Sequence, residues 1–166
     1  MKQNGFSLLE LIVVIGIIVG ITGFAVNNYN NFNQTERLRQ ASKNLKTDIR
    51  LAQTRASSGV KPTACTSANA TLVGYALSFP NANSYMIQAV CSPAVANLPS
   101  TVVALPSNVS FYPTPSTVLF NVLTGTIGSS QTFSLISQSS QLYRLRVCSS
   151  GDVNDLGLGT GSYSSC

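Results

Sequence analysis

Residues 6–26 read FSLLELIVVIGIIVGITGFAV, an apolar run of 21 residues with a single charge, at Glu10. A helix rises about 1.5 Å per residue, so this run spans roughly 30 Å, the thickness of the hydrocarbon core of a bilayer. A secretory signal would carry a small-residue cleavage site after its apolar core, whereas Asn27 and Asn28 follow here. We therefore expect residues 6–27 to form a retained helix that lies in a membrane or in the core of a filament.

Glu10 is the unusual residue of this segment. A carboxylate inside a membrane helix costs about 2.5–3.5 kcal/mol on insertion scales, so an intramembrane acid is by default a candidate for function. A carboxylate in an apolar environment requires a cationic partner. An α-amine is the only cationic group that this part of the chain offers. Glu10 is thus predicted to act by pairing with an amine.

The residues Lys2, Gly5, Phe6, Ser7 and Glu10 resemble the leader of the type IV pilin and pseudopilin superfamily. This resemblance implies that residues 1–5 are a leader peptide, which a prepilin peptidase removes between Gly5 and Phe6 before Phe6 is N-methylated. It also implies that Phe6 and Glu10 serve in assembly, where the carboxylate pairs with the terminal amine of a neighbouring subunit. A single-pass anchor with an incidental acid is the alternative.

Residues 28–61 are predicted to form an amphipathic helix that is the spine of a head domain. Apolar residues recur every three or four positions, as one face of a helix requires: Leu38, Ala41, Leu45, Ile49, Ala52 and Ala56. Four basic residues with the same spacing lie on another face: Arg39, Lys43, Lys46 and Arg50. The apolar stripe should carry the head. The basic stripe should face solvent, lipid head groups or adjacent subunits.

Residues 62–166 are predicted to form an antiparallel β head, because the apolar periodicity changes to two after Lys61. We expect a hairpin of Leu72–Phe79 and Ser84–Cys91 with a four-residue turn. Further strands are expected at Ser100–Leu105, Val109–Tyr112, Val118–Val122, Gln131–Ile136 and Leu142–Cys148. With the long N-terminal helix this gives an α+β fold, an antiparallel sheet packed on the helix. The order of five motifs resembles the GspH/FimT subgroup of minor pilins and pseudopilins: Asp48–Ala56 ahead of the first Cys, Leu105–Val109, Phe120, Gly125 and Tyr143–Gly151.

Four cysteines, Cys65, Cys91, Cys148 and Cys166, lie after the expected anchor, and disulfides are common in exported domains. Four cysteines allow three pairings, and the sequence does not choose among them. We favour Cys65–Cys91 and Cys148–Cys166. The second bridge would enclose a tail rich in Gly and Ser that could not become ordered by burial.

The composition argues against catalysis and against a cofactor. The chain has no His, and no charged residue occurs from Pro62 to Tyr143, so the usual general bases and metal ligands are scarce. No enzyme activity, cofactor or metal is expected. Asp152, Asn154 and Asp155 are a weak calcium candidate, and an Asx-rich turn is the more ordinary interpretation.

DNA binding is an alternative that the charge distribution does not favour. Some members of the subgroup bind DNA through a Gly-Arg-x-Arg motif after the last strand, where this chain has Gly151, Asp152, Val153 and Asn154. Arg144 and Arg146 remain nearby, two residues apart and therefore on one strand face. They could contact phosphate, bond carbonyl groups or pair with Asp152 and Asp155.

The sequence therefore predicts a structural subunit, a minor pilin, of a type IV pilus or related filament. Its partners would be other pilin subunits, the prepilin peptidase, an assembly platform and, before assembly, the membrane. The precursor would span the cytoplasmic membrane once with its head on the exported side, and would then enter a filament at the cell surface or in the periplasm. A GspH-like pseudopilin of a type II secretion system is the nearest alternative.

Overall fold

The computed structural model describes residues 7–96, 98–159 and 166, with the backbone alone for residues 24–28. Its first element is α1 (Leu8–Ser57), a helix of 50 residues and therefore about 75 Å long. Ser7 begins it as the N-cap, since its hydroxyl accepts the Glu10 N–H at 3.3 Å. Gly59, whose φ of +62° suits glycine, follows the helix end. The long helix predicted from the sequence is confirmed, but it ends at Ser57 instead of residue 61. Its predicted first residue, Phe6, lies outside the described residues.

The second half of α1 forms one wall of the core. The six residues of the predicted apolar stripe are each at most 1% exposed: Leu38, Ala41, Leu45, Ile49, Ala52 and Ala56. Large side chains of the strands pack against them, among them Tyr85, Phe120 and Phe133. A helical spacing of three or four thus places the whole stripe against the head, as predicted.

In the described residues, the head consists of a short helix and eight strands, which form two antiparallel sheets. These elements are α2 (Thr63–Ser67), β1 (Thr71–Asn81), β2 (Ser84–Ser92), β3 (Ser100–Ala104), β4 (Val109–Phe111), β5 (Val118–Asn121), β6 (Gln131–Ser137), β7 (Leu142–Val147) and β8 (Val153–Leu158). The strand orders are β3-β2-β1-β5 in the first sheet and β4-β6-β7-β8 in the second. Both sheets pack against α1 and share one core with it. The α+β class and the predicted strands are confirmed, but the strands divide between two sheets.

The turn between β1 and β2 is shorter than predicted. β1 continues through Pro80 to Asn81, so only Ala82 and Asn83 lie between the strands instead of four residues. The pairing register shifts between Ser78 and Asn81, where Pro80 has no N–H to donate to the ladder. The Asn81 side chain accepts the Asn83 N–H at 2.8 Å, which stabilises the two-residue turn.

β8 is a strand that the sequence analysis did not predict. It pairs with β7 in antiparallel fashion, yet none of its six residues is fully buried. Hydrophobic periodicity detects strands through their buried face, so a strand without such a face gives little signal. In the described part of this tail, main-chain pairing with β7 orders residues 153–158.

Two disulfides join parts of the head, Cys65 to Cys91 and Cys148 to Cys166. This is the pairing that we favoured from the sequence. The first connects α2 to β2, and the second connects Cys148, which follows β7, to Cys166. The paired cysteines are separated by 26 and 18 positions, for which the chain-entropy relation gives about 3 kcal/mol of stabilisation each.

Candidate functional site

The first half of α1 is an apolar surface that the rest of the subunit does not cover. Every large apolar side chain from Leu8 to Ile21 is between 49% and 76% exposed, whereas the stripe in the second half is fully buried. These exposed side chains surround the helix instead of forming one stripe. A helix that is apolar on all sides needs a complete apolar environment, so this segment must be covered by something other than its own head.

Glu10 lies in the first turn of α1, exposed, among these apolar residues. No ion pair joins its carboxylate to another described residue. An acid in the first turn is favoured by the positive end of the helix dipole, and its N–H is held by Ser7. The carboxylate therefore lies exposed in the first turn of an apolar helix surface. Gly5 and Phe6, the predicted processing residues, lie outside the described residues.

Within the described part of the chain, no helical stretch is both long and apolar enough to cross a membrane.

The basic stripe on α1 is partly occupied by contacts inside the subunit. Arg39 pairs with Glu36 at 2.7 Å, one helical turn away. Lys46 reaches Asp155 of β8 at 3.8 Å, so it also joins the helix to the edge of the second sheet. Lys43 and Arg50 are exposed. The Arg39–Glu36 pair is exposed and contributes at most about 1 kcal/mol, whereas the Lys46–Asp155 pair is partly buried.

Arg144 and Arg146 lie together on the outer face of β7, as the sequence analysis predicted for residues two apart. The residues that alternate with them, Tyr143, Leu145 and Val147, are buried in the core. Across the ladder Arg146 is opposite Asn154, and Arg144 is opposite Gly157. The two guanidinium groups thus belong to one half-exposed face of the second sheet.

The three oxygen-bearing residues considered for calcium make separate contacts. Asp155 pairs with Lys46 and accepts the Gly157 N–H at 3.1 Å. Asp152 accepts the Ser150 hydroxyl at 2.9 Å, whereas the Asn154 amide donates to Cys148 Sγ at 3.6 Å. Among the described residues, no group of three or more His, Cys, Asp or Glu side chains is placed to hold a metal ion.

A buried tyrosine, Tyr85, connects the head to a polar side chain next to the helix stripe, and hydrophobic periodicity does not predict this contact. The Tyr85 hydroxyl donates to Asp48 Oδ2 at 2.6 Å. Burial raises the pKa of Tyr85 far above its ordinary value, and the Asp48 carboxylate raises it further. Burial also raises the pKa of Tyr143, and the neighbouring Asp155 raises it further, whereas Ser42 of α1 lowers it. The one sequence feature that could have indicated this contact is Asp48, an acidic residue at the border of the apolar stripe of α1.

Comparison with known families identifies the N-terminal segment. Residues 1–19 match the family described as the prokaryotic N-terminal methylation motif. The motif is that of a type IV pilin-like precursor, and it indicates a structural subunit. No curated protein and no solved structure gave a significant match to the chain.

Proposed function

We propose that this protein is a subunit, a minor pilin, of a type IV pilus or related filament. The observation that carries the proposal is the continuous helix α1, whose first half is apolar and exposed on all sides while one face of its second half is buried against the head. A single helix cannot fold back to cover itself. Lipid would surround its first half before assembly, and the corresponding helices of neighbouring subunits would surround it in the filament.

In this proposal Glu10 directs docking. Removal of residues 1–5 would create an amine on Phe6, and the exposed Glu10 carboxylate of one subunit would pair with the amine of the next. A charge pair in an apolar environment gains strength from the low dielectric constant, and each unpaired charge there is costly. The pair would therefore favour one axial register between neighbouring helices.

The test is a Glu10→Ala variant of the full chain, expressed with its own peptidase and assembly machine. We expect normal cleavage and membrane association, but incorporation into filaments reduced at least tenfold, a factor that about 1.4 kcal/mol already produces. Glu36→Ala is the matched control, because Glu36 is also a helical acid but lies outside the apolar run. Normal incorporation of Glu10→Ala would contradict the assembly role.

Intact mass spectrometry of the membrane form tests the processing step independently. The proposal requires the loss of Met1–Gly5 and the gain of one methyl group on Phe6. A mass four hydrogens lower than that of the reduced chain would report both disulfides. A mature protein that retains residues 1–5 would exclude the proposed processing.

A GspH-like pseudopilin of a type II secretion system would have the same helix and the same processing. The two functions differ in which machine stops when the gene is deleted, pilus assembly or protein secretion.

A DNA-binding minor pilin is a second alternative, and the shared outward face of Arg144 and Arg146 favours it. A gel-shift titration of the full chain against Arg144→Ala/Arg146→Ala tests it. Salt-sensitive binding that the double variant loses would support DNA binding.

A further inference from the structure

A neutral pocket lies in the head at the meeting point of three chain segments. It has a volume of about 280 Å³ and is lined by the turn between β1 and β2, by β4 with the residue before it, and by the end of β6. Its polar lining includes Asn83, Asn108, Ser110 and Gln138. The volume is close to the lower limit of small-molecule sites, about 300 Å³.

The backbone around the pocket is held by hydrogen bonds between these three segments. The Asn83 carbonyl accepts the Leu105 N–H at 2.8 Å, and the Asn108 carbonyl accepts the Gln138 N–H at 3.2 Å. The Phe111 N–H also donates to the Ala82 carbonyl at 2.8 Å. Because these bonds fix each segment to another, the backbone that carries the amide side chains is set before any ligand arrives, which lowers the cost of binding.

The side chains themselves are not occupied. Asn83, Asn108, Ser110 and Gln138 make no side-chain hydrogen bond to another described residue, although the neighbouring Ser137 hydroxyl contacts Ser139 and accepts the Gln141 N–H. Three carboxamides and one hydroxyl thus face a single pocket. Each carboxamide offers one acceptor oxygen and two donor hydrogens.

The chemistry of the lining selects the class of ligand. No charged residue lines the pocket, and Arg37, which donates to the adjacent Ser107 hydroxyl at 3.0 Å, is not among its lining residues, so the lining itself has no group to balance the charge of a phosphate, a carboxylate or an ammonium group. Its lining is mainly polar, with Ile136 and Val109 as the apolar part. Neighbouring hydroxyl groups of a sugar both donate and accept, which matches carboxamides. We propose that this pocket binds a single neutral sugar residue, a hexose or an N-acetylhexosamine.

The experiment uses the full chain in micelles of a detergent without a sugar head group, because a glucoside or maltoside would compete. The probes are methyl glucoside, methyl galactoside, methyl mannoside and chitotriose, measured by saturation-transfer NMR and titration calorimetry. We expect a Kd of about 1 mM for at least one probe, the affinity expected of a small ligand with few contacts. A lower Kd for chitotriose would indicate a cell-wall type of glycan. A lower Kd for a methyl hexoside would indicate another glycan.

The variants are Asn108→Gly and Gln138→Ala. Glycine is used at Asn108 because this residue has a φ of +73°, which alanine would not adopt without strain. Each variant should weaken binding about fivefold or more, since each removes hydrogen bonds to the sugar. Asn44→Ala, an exposed amide on α1, should bind as the parent does. Near-UV circular dichroism would verify that each variant is folded.

Two outcomes would overturn the proposal. One is the absence of saturation transfer to every probe at 10 mM, roughly ten times the expected Kd. The other is binding that both pocket variants retain at parental affinity, which would place the sugar elsewhere on the molecule. Neither outcome bears on processing or filament assembly, so the proposed function and the sugar site can fail separately.

Discussion

Replacement of Tyr85 by phenylalanine removes one oxygen atom from the core and leaves Asp48 without its donor. Tyr85 is 1% exposed, and its hydroxyl donates to Asp48 Oδ2 at 2.6 Å. A hydrogen bond to a charged group contributes about 1.5–3 kcal/mol. Because Asp48 is only partly buried and water can replace the donor in part, we expect a loss of about 1.5 kcal/mol at pH 7.

The same substitution should change the pH dependence of stability. Burial raises the pKa of Tyr85 in the folded protein, whereas the unfolded chain has the ordinary value of about 10. The stabilisation is therefore complete below pH 10. Above it, the unfolded state loses its proton first, and the free energy of unfolding falls by up to about 1.4 kcal/mol per pH unit. The Tyr85→Phe variant lacks this contribution, so its deficit should shrink as the pH rises beyond 10.

The measurement is urea unfolding of the full chain in micelles, followed by near-UV circular dichroism between pH 7 and pH 11. Tyr112→Phe is the matched control, because Tyr112 is 65% exposed and should affect stability by less than about 0.5 kcal/mol. If Tyr85→Phe costs no more than this control at pH 7, the hydrogen bond to Asp48 does not stabilise the fold. A deficit that stays constant up to pH 11 would refute the titration argument.

Two further substitutions test the packing of the head in the same assay. Leu45→Ala empties a fully buried position of the helix stripe and should cost about 3 kcal/mol; a cost below 1 kcal/mol would show that the stripe is not the centre of the core. Gly74→Ala would place a Cβ against the main-chain carbonyl of Phe120 on the paired strand β5 and should cost about 3 kcal/mol. If Gly74→Ala is as stable as the parent protein, β1 and β5 can move apart at this position without lowering the free energy of unfolding.

The features that could be predicted from the sequence are those with a regular apolar period. The spacing of three or four residues from Leu38 to Ala56 predicted the buried face of the helix. The alternation of buried and exposed positions in segments such as Tyr85–Cys91 predicted the strands. In each case burial and secondary structure impose the same pattern on the sequence. The division of the strands between two sheets has no comparable signal, because strands of either sheet alternate in the same way.

Other features depend on contacts between residues far apart in the sequence. β8 contains no buried residue, so its pairing with β7 could not be inferred from hydrophobicity. The hydrogen bond between Asp48 and Tyr85 joins residues 37 positions apart, and the pocket at Asn108 brings together three separate segments. Glu10, in contrast, could be identified from the sequence alone. A charge within an apolar run is visible in the sequence itself, and the structure adds that no described residue of the same subunit neutralises it.

The long stretch without charge from Pro62 to Tyr143 has a physical consequence for a subunit whose helix must be covered by its neighbours. When helices pack side by side, their heads are brought close together as well. A charged group that is buried between heads costs several kcal/mol unless it finds a partner. Hydroxyl and amide groups cost less to bury and can bond to whatever they meet. A head surface of Ser, Thr and Asn therefore tolerates contact with heads of different sequence, which suits a subunit that is placed among other pilins.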